Sequence, residues 1–109
     1  MFASCGANVS TIKIDNLEVM TEDLERTYTW DDAMKACADL GDGWRLPTKD
    51  ELNILYENKD KIGGFANNDY WSSTEDGNFI AWVQYFSDGG QYSYSFGTPF
   101  INVMAVRAF

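Results

Sequence analysis

Histidine is missing from this chain altogether. Its absence removes the commonest general base at neutral pH and the commonest transition-metal ligand. Cysteine occurs only twice, at Cys5 and Cys37, too few for a disulfide framework. The spacing leaves a Cys5–Cys37 bridge open, with Cys37 otherwise a small buried hydrophobe on a helix face. No stretch of eighteen apolar residues occurs, so no direct membrane insertion is expected. Basic residues are sparse, eight against seventeen acidic, for a net charge of −9. All five lysines precede Ile62, and Arg107 is the one base after it. Clustered cations for a phosphate backbone are therefore lacking, and nucleic acid is excluded as a partner. The acidity is accounted for by solubility.

The chemistry of catalysis is equally thin. A nucleophile needs a base, and Ser72 and Ser73 have no histidine to serve them. Glu75 and Asp76 are adjacent in a loop, which gives them no reason to converge. The expectation is no enzyme, no catalytic residue, no cofactor and no metal site.

What the chain does hold is a folded scaffold. Its length is that of one domain, and 16% aromatic residues supply large buried areas. Residues 1–8 read as a flexible N-terminal tail and 9–109 as a single domain. Ala3-Ser4-Cys5-Gly6 faintly matches a lipoprotein cleavage site, but no basic or long apolar region precedes it. A signal clipped from a longer precursor is the better account of it.

The organising stretch is Gly41-Asp42-Gly43-Trp44-Arg45-Leu46-Pro47-Thr48-Lys49-Asp50-Glu51-Leu52. Gly41 and Gly43 can turn the chain out of one helix, and Pro47 holds Leu46 extended. Thr48 with Glu51 makes a capping box that starts a second helix. Trp44 and Leu46 are expected to plug inward while Arg45 finds acceptors nearby.

Around this stretch, Thr11–Asp15 and Leu17–Met20 alternate as one or two short strands joined near Asp15-Asn16. Thr29 caps a helix over Trp30–Leu40, whose Trp30, Ala33, Met34, Cys37 and Leu40 form one apolar stripe. The second helix, Thr48 to about Lys59, buries Leu52, Leu55 and Tyr56, with Ile62 closing it and Gly63-Gly64 breaking it. Beyond Phe65 the composition turns to Asn, Asp, Ser, Gly, Tyr and Phe. Tyr70–Thr74 and Ile80–Phe86 read as strands, the latter with Ile80, Trp82 and Phe86 on one side. Ser87-Asp88-Gly89-Gly90 is a hairpin turn. Gln91–Phe96 follows, with Tyr92, Tyr94 and Phe96 against Ser93 and Ser95. Asn102–Ala108 is a closing strand alternating Val103, Ala105 and Arg107 with Met104 and Val106. Two helices and a mainly antiparallel, loop-rich sheet define an α+β class. Trp44, Arg45, Leu46, Trp71, Trp82 and Arg107 are expected to hold the fold.

With Gly43-Trp44-Arg45-Leu46-Pro47-Thr48, Glu51-Leu52, Tyr70-Trp71-Ser72-Ser73-Thr74-Glu75, Ala81-Trp82 and Val106-Arg107-Ala108-Phe109, the chain resembles the Lcl C-terminal-like domains of bacteria. The resemblance runs from about Ile12 to Phe109 and implies the C-type lectin-like fold. It implies an adhesin, a phage receptor-binding tip, or a variable protein of a diversity-generating retroelement, at a cell surface or on a virion. In that last group the recoded positions favour Asn, Tyr, Ser, Asp, Phe and Gly. The implied ligand-binding residues are Asn78, Phe79, Gln84, Tyr85, Ser87, Asp88 and Gln91, then Tyr92, Ser93, Tyr94, Ser95, Phe96, Thr98 and Phe100. The same mixture is what a paratope uses, rigid aromatics for area and small polar groups for adaptable hydrogen bonds. It is also ordinary for an antiparallel sheet, and both accounts stay open. The expected partner is a host- or cell-surface protein or a glycan, with a subunit contact through the same Tyr/Phe face as the alternative.

Two departures narrow this. The Glu-Pro-Asn, Gln-Pro-Asp and Trp-Asn-Asp calcium motifs of animal lectins are absent, and Asn67-Asn68-Asp69 is only a weak echo of them. The distantly related formylglycine-generating enzymes need a cysteine pair near the C-terminus, and here none follows Cys37.

Overall fold

The computed structural model describes residues 10–24 and 26–109. The expected tail and Cys5 lie outside the described residues. Strands β1 (Thr11–Ile14) and β2 (Leu17–Met20) form a hairpin through Asp15, which takes the left-handed φ of 53°. The C-terminal strand β6 (Val106–Ala108) pairs on β2, giving an antiparallel sheet in the order β1-β2-β6. Strands β3 (Asp69–Glu75), β4 (Ile80–Tyr85) and β5 (Gln91–Ser95) form a second antiparallel sheet, β3-β4-β5. Helices α1 (Trp30–Asp39), α2 (Lys49–Glu57) and a single turn α3 (Lys59–Ile62) complete the α+β architecture.

The expected crossing holds α1 to α2. Thr48 is the N-cap of α2, and the capping box is complete: Glu51 N–H donates to Thr48 Oγ1, while Thr48 N–H donates to Glu51 Oε1 at 2.9 Å. Glu51 also receives both ends of the Arg45 guanidinium, at 2.7 and 3.1 Å. Trp44 and Leu46 are buried on either side, as their flanking positions imply. The Arg107 guanidinium lies over the Trp44 ring at 4.7 Å and is held by Glu18 at 2.8 Å.

The block Tyr70–Glu75 is tied to this crossing by Ser73 and Thr74 and to β4 by Ser72. The β3–β4 register shifts between Trp71 and Glu75, and the buried Ser72 hydroxyl fills that irregularity by donating to the Trp82 carbonyl at 2.8 Å. Ser73 N–H donates to the Pro47 carbonyl at 2.8 Å. Thr74 Oγ1 accepts the Lys49 N–H in the first turn of α2 at 2.9 Å. Ser72 and Thr74 are structural fasteners through their hydroxyls, and Ser73 through its main chain.

Three expectations are corrected. The closing strand is confined to Val106–Ala108, because Ile101–Ala105 threads between the two sheets. Trp71 N–H donates to Asn102 O at 3.0 Å on one flank, and Leu24 N–H donates to Val103 O at 3.0 Å on the other. Val103, Met104, Ala105 and Val106 are consequently all buried, with no alternation. Met34 leaves the α1 stripe and is 40% exposed, since Trp30, Ala33 and Cys37 already fill the buried face. Trp82 is only half-buried, lying outside the core under the Lys49 ammonium at 3.7 Å.

The Arg45–Glu51 pair yields a pH prediction. The Arg45 guanidinium, aided by the Thr48 N–H, holds the Glu51 carboxyl below its ordinary 4.5. A depressed carboxyl contributes stability that is present above 4.5 and lost as the pH falls through its folded value. The pair is partly solvated, so Glu51→Gln is expected to cost about 0.5–1 kcal/mol at neutral pH. Urea unfolding at pH 7 and again well below 4.5 should show the gap between parent and variant closing. A gap of constant size would refute the assignment.

Candidate ligand-binding surface

The β4–β5 ladder decides what the candidate residues can do. Its register pairs Ala81 with Tyr94 and Val83 with Tyr92, and on the opposite face Ile80 with Ser95, Trp82 with Ser93 and Gln84 with Gln91. Side chains alternate across a sheet, so one face carries Tyr92 and Tyr94 and the other carries Gln91, Ser93 and Ser95. The candidates are thereby split between two faces.

Helix α2 packs on the second face. Gln84 is fully buried there, its amide donating to Asn53 Oδ1 at 2.9 Å and to the Gly89 carbonyl at 3.0 Å. It is unavailable to a ligand, which corrects its place among the site residues. Gln91 donates across to the Lys49 carbonyl at 3.2 Å and reads as a brace between β5 and α2. Ser95 is exposed and Ser93 half-buried at the uncovered end of this face.

The first face is aromatic. Phe96 stacks on Trp30 with ring centroids 4.2 Å apart, and Phe79 meets Phe96 edge-on at 6.1 Å. Trp30 is anchored in turn, its Nε1 donating to the Ser72 carbonyl at 2.9 Å. Phe79 is 75% exposed, although its backbone takes a φ of 63°. A bulky side chain in the left-handed region is an outlier that costs conformational energy. Further along β5, Tyr92 is 47% exposed and Tyr94 half-buried. Phe100, 67% exposed, stands in the turn before the buried Ile101.

Acid lies beside the tyrosines. Burial raises the Asp69 carboxyl, the Asp88 charge raises it further, and the Tyr94 hydroxyl opposes both. Tyr94 is itself raised, by burial first and then by Asp69. Asp88 also shapes the hairpin, accepting the Gly90 N–H at 2.8 Å. Tyr85 is half-buried between β3 and the β4–β5 turn, while Asn78 and Ser87 are exposed in turns. Thr98 is half-buried, its N–H donating to the Ser95 carbonyl at 3.0 Å.

The structure adds three residues that sequence reasoning left out of the surface. Trp30 supports Phe96, Asp69 lies beside Tyr94, and Met34 stands one helical turn from Trp30. Only Met34 carried a local signal, its position at the margin of the α1 stripe. A cavity of about 350 Å³ lies elsewhere, bounded by Lys59, Gly63, Gly64, Phe65, Asn67 and Phe86. Its one ammonium is taken up, since Lys59 Nζ donates to the Phe86 carbonyl at 3.0 Å. Among the described residues no cluster of Cys, Asp or Glu is arranged to hold a metal ion, and no helix is long and apolar enough to cross a membrane.

Comparison with known proteins agrees with this architecture. A family model described as the Lcl C-terminal domain matches residues 9–107. No curated protein matches the sequence. Among solved structures, botrocetin superposes with a TM-score of 0.64 at 11% identity, over 91% of this chain and 96% of that one. A chain from the complex of a mutant von Willebrand factor A1 domain with botrocetin superposes at 0.63 and 12% identity, with the same coverage. At such identities the likeness is one of fold, and that fold is C-type lectin-like.

Proposed function

The chain belongs to the Lcl C-terminal domain family, and from that premise we propose that it is a non-enzymatic ligand-binding module. Its contact surface is the aromatic face built from Phe79, Phe96, Tyr92 and Tyr94, with Asn78, Tyr85, Ser87, Asp88, Thr98 and Phe100 around it, while Ser93 and Ser95 lie on the opposite face of the same outer strand. The partner is a protein or glycan of a cell surface, and the acidic rim of Asp69 and Asp88 favours neutral or basic ones. The botrocetin complex, in which the same fold engages a protein domain, is a precedent for a protein partner.

The observation that carries this reading is Phe79. Its ring is 75% exposed and its φ is 63°, so folding gains little from it while the backbone is strained. Glycine at that position would relieve the strain. A phenylalanine at such a position fits an anchor, and such anchors are each worth on the order of 2 kcal/mol or more in an interface.

The test separates stability from binding. Phe79→Gly is expected to unfold at the same or a higher temperature than the parent, gaining up to about 1 kcal/mol. An array of purified cell-surface ectodomains and glycans, probed with parent and with a Phe79→Gly/Tyr92→Ala variant, should show signals that the variant loses by about 30-fold or more. An array on which both bind equally refutes the surface. Diversification by a retroelement belongs to the same reading. It requires natural sequences of this gene to vary mainly between Asn78 and Asn102, with Trp30–Glu75 constant. Evenly spread variation would leave a module of fixed specificity.

A further inference from the structure

Among the described residues, β5 is the outer strand of its sheet, with β4 on one side and no strand on the other. Tyr85 N–H donates to the Gly90 carbonyl and Phe96 N–H to the Phe79 carbonyl, both at 2.8 Å. Antiparallel bonds recur at every second residue, so Tyr92 and Tyr94 also bond to β4. The backbone groups of Gln91, Ser93 and Ser95 therefore turn to the open edge. Among the described residues, the one backbone bond made there is the Thr98 N–H donating to the Ser95 carbonyl at 3.0 Å.

Open edges are ordinarily guarded by lysine, proline, a bulge or an inward charge. β5 has none of these. Its five residues carry no charge and no proline, and its register with β4 runs without a shift. No charged residue occurs from Gln91 to Val106.

The strand is also complementary to itself. Turned antiparallel about Ser93, it sets Ser93 against Ser93, Gln91 against Ser95, and Tyr92 against Tyr94. Ser93 against Ser93 is a fully bonded pair, and Gln91 against Ser95 is joined by the outward Ser95 N–H donating to the Gln91 carbonyl, because the Ser95 carbonyl already accepts the Thr98 N–H. Tyr92 with Tyr94 then falls at the closer, non-bonded spacing, where aromatic side chains interact best.

We propose that β5 is a self-pairing edge, through which two copies of this chain join about a two-fold axis at Ser93 into one six-stranded sheet. A second copy is the occupant because the contact is isologous: the same residues serve both sides and the symmetry closes at a dimer. The tyrosine rows of the two copies then run on across the junction, doubling the aromatic face. Strand pairing of this length buries less than about 1,000 Å², so the dimer exchanges with monomer and depends on concentration. Each copy carries a charge of −9, and their mutual repulsion makes association stronger as salt rises.

Sedimentation equilibrium over a concentration series, at low salt and at roughly 0.5 M, reads this directly. The expected mass climbs from 12.3 kDa toward twice that value, and climbs at lower concentration in high salt. Ser95→Pro deletes an outward N–H without touching a bond to β4, and it should remain monomeric. Ser95→Lys is the second variant in case proline perturbs the fold. It lowers the net negative charge, yet it should also remain monomeric because it places an ammonium on the joined edge. A parent that stays monomeric at every concentration and salt overturns the proposal. So does an assembly that both variants leave intact, or one that grows beyond a dimer.

Discussion

Trp71→Ala is expected to cost about 3–5 kcal/mol, a large part of the stability of a domain this small. Trp71 is fully buried, and its Nε1 donates to the Tyr28 carbonyl at 2.8 Å. Truncation would open a cavity where β3 meets the threading segment Ile101–Ala105, and it would leave the Tyr28 carbonyl without its donor. Trp82 lies on the neighbouring strand and has the same side chain, but a different outcome is expected. It is half-buried, and the lysine above it can rearrange, so Trp82→Ala should cost about 1–2 kcal/mol. Urea unfolding of both variants against the parent measures the contrast. Equal losses would mean that the core does not lie where burial places it. A changed denaturant slope would instead signal an altered unfolded state.

The contrast between the two tryptophans also shows what local sequence carries and what it does not. The capping box of Thr48 and Glu51, the Asp88-Gly89-Gly90 turn and the Trp44/Leu46 plug are all written in side chains within a few residues of one another. Each of these is present in the structure. The alternation of Tyr92 and Tyr94 with Ser93 and Ser95 was legible in the same way. What alternation could not say is which face α2 covers. That face is settled by contacts between distant residues, such as Asn53 with Gln84, 31 positions apart. Gln84 therefore reads locally as a surface polar residue, although its buried amide is fully partnered. The apolar run from Val103 to Val106 has strand composition, but the threading of Ile101–Ala105 between two sheets leaves it no solvent face to alternate with. Trp82 and Met34 fail for the converse reason. Met34 sits at the margin of the α1 stripe and stays 40% exposed, and Trp82 is capped only by the Lys49 side chain at the start of α2.

The second large effect is expected at Gly64, from contact between backbones. Gly64 has a φ of 74°, and a Cβ there would overlap the Thr21 carbonyl oxygen and lie 2.8 Å from its carbon and 2.9 Å from Glu22 Cα. No rotamer change relieves such a clash, because all three atoms belong to the main chain. The displaced connector also carries Asp23, which accepts the hydroxyl of the fully buried Tyr70 at 2.6 Å. Burial, reinforced by that carboxylate, holds the Tyr70 phenol well above its ordinary value, so the pair is a desolvated tie between connector and sheet. Gly64→Ala should therefore cost about 1–2 kcal/mol for the left-handed conformation and about 1–3 more for the shifted backbone. Gly41 supplies the control. Its φ is also 74°, but a Cβ there meets nothing within 4 Å, so Gly41→Ala pays only the conformational part. Thermal and urea unfolding of the two variants should separate them by about 1–3 kcal/mol. Identical losses would remove the close approach at Thr21 as the reason for glycine at position 64.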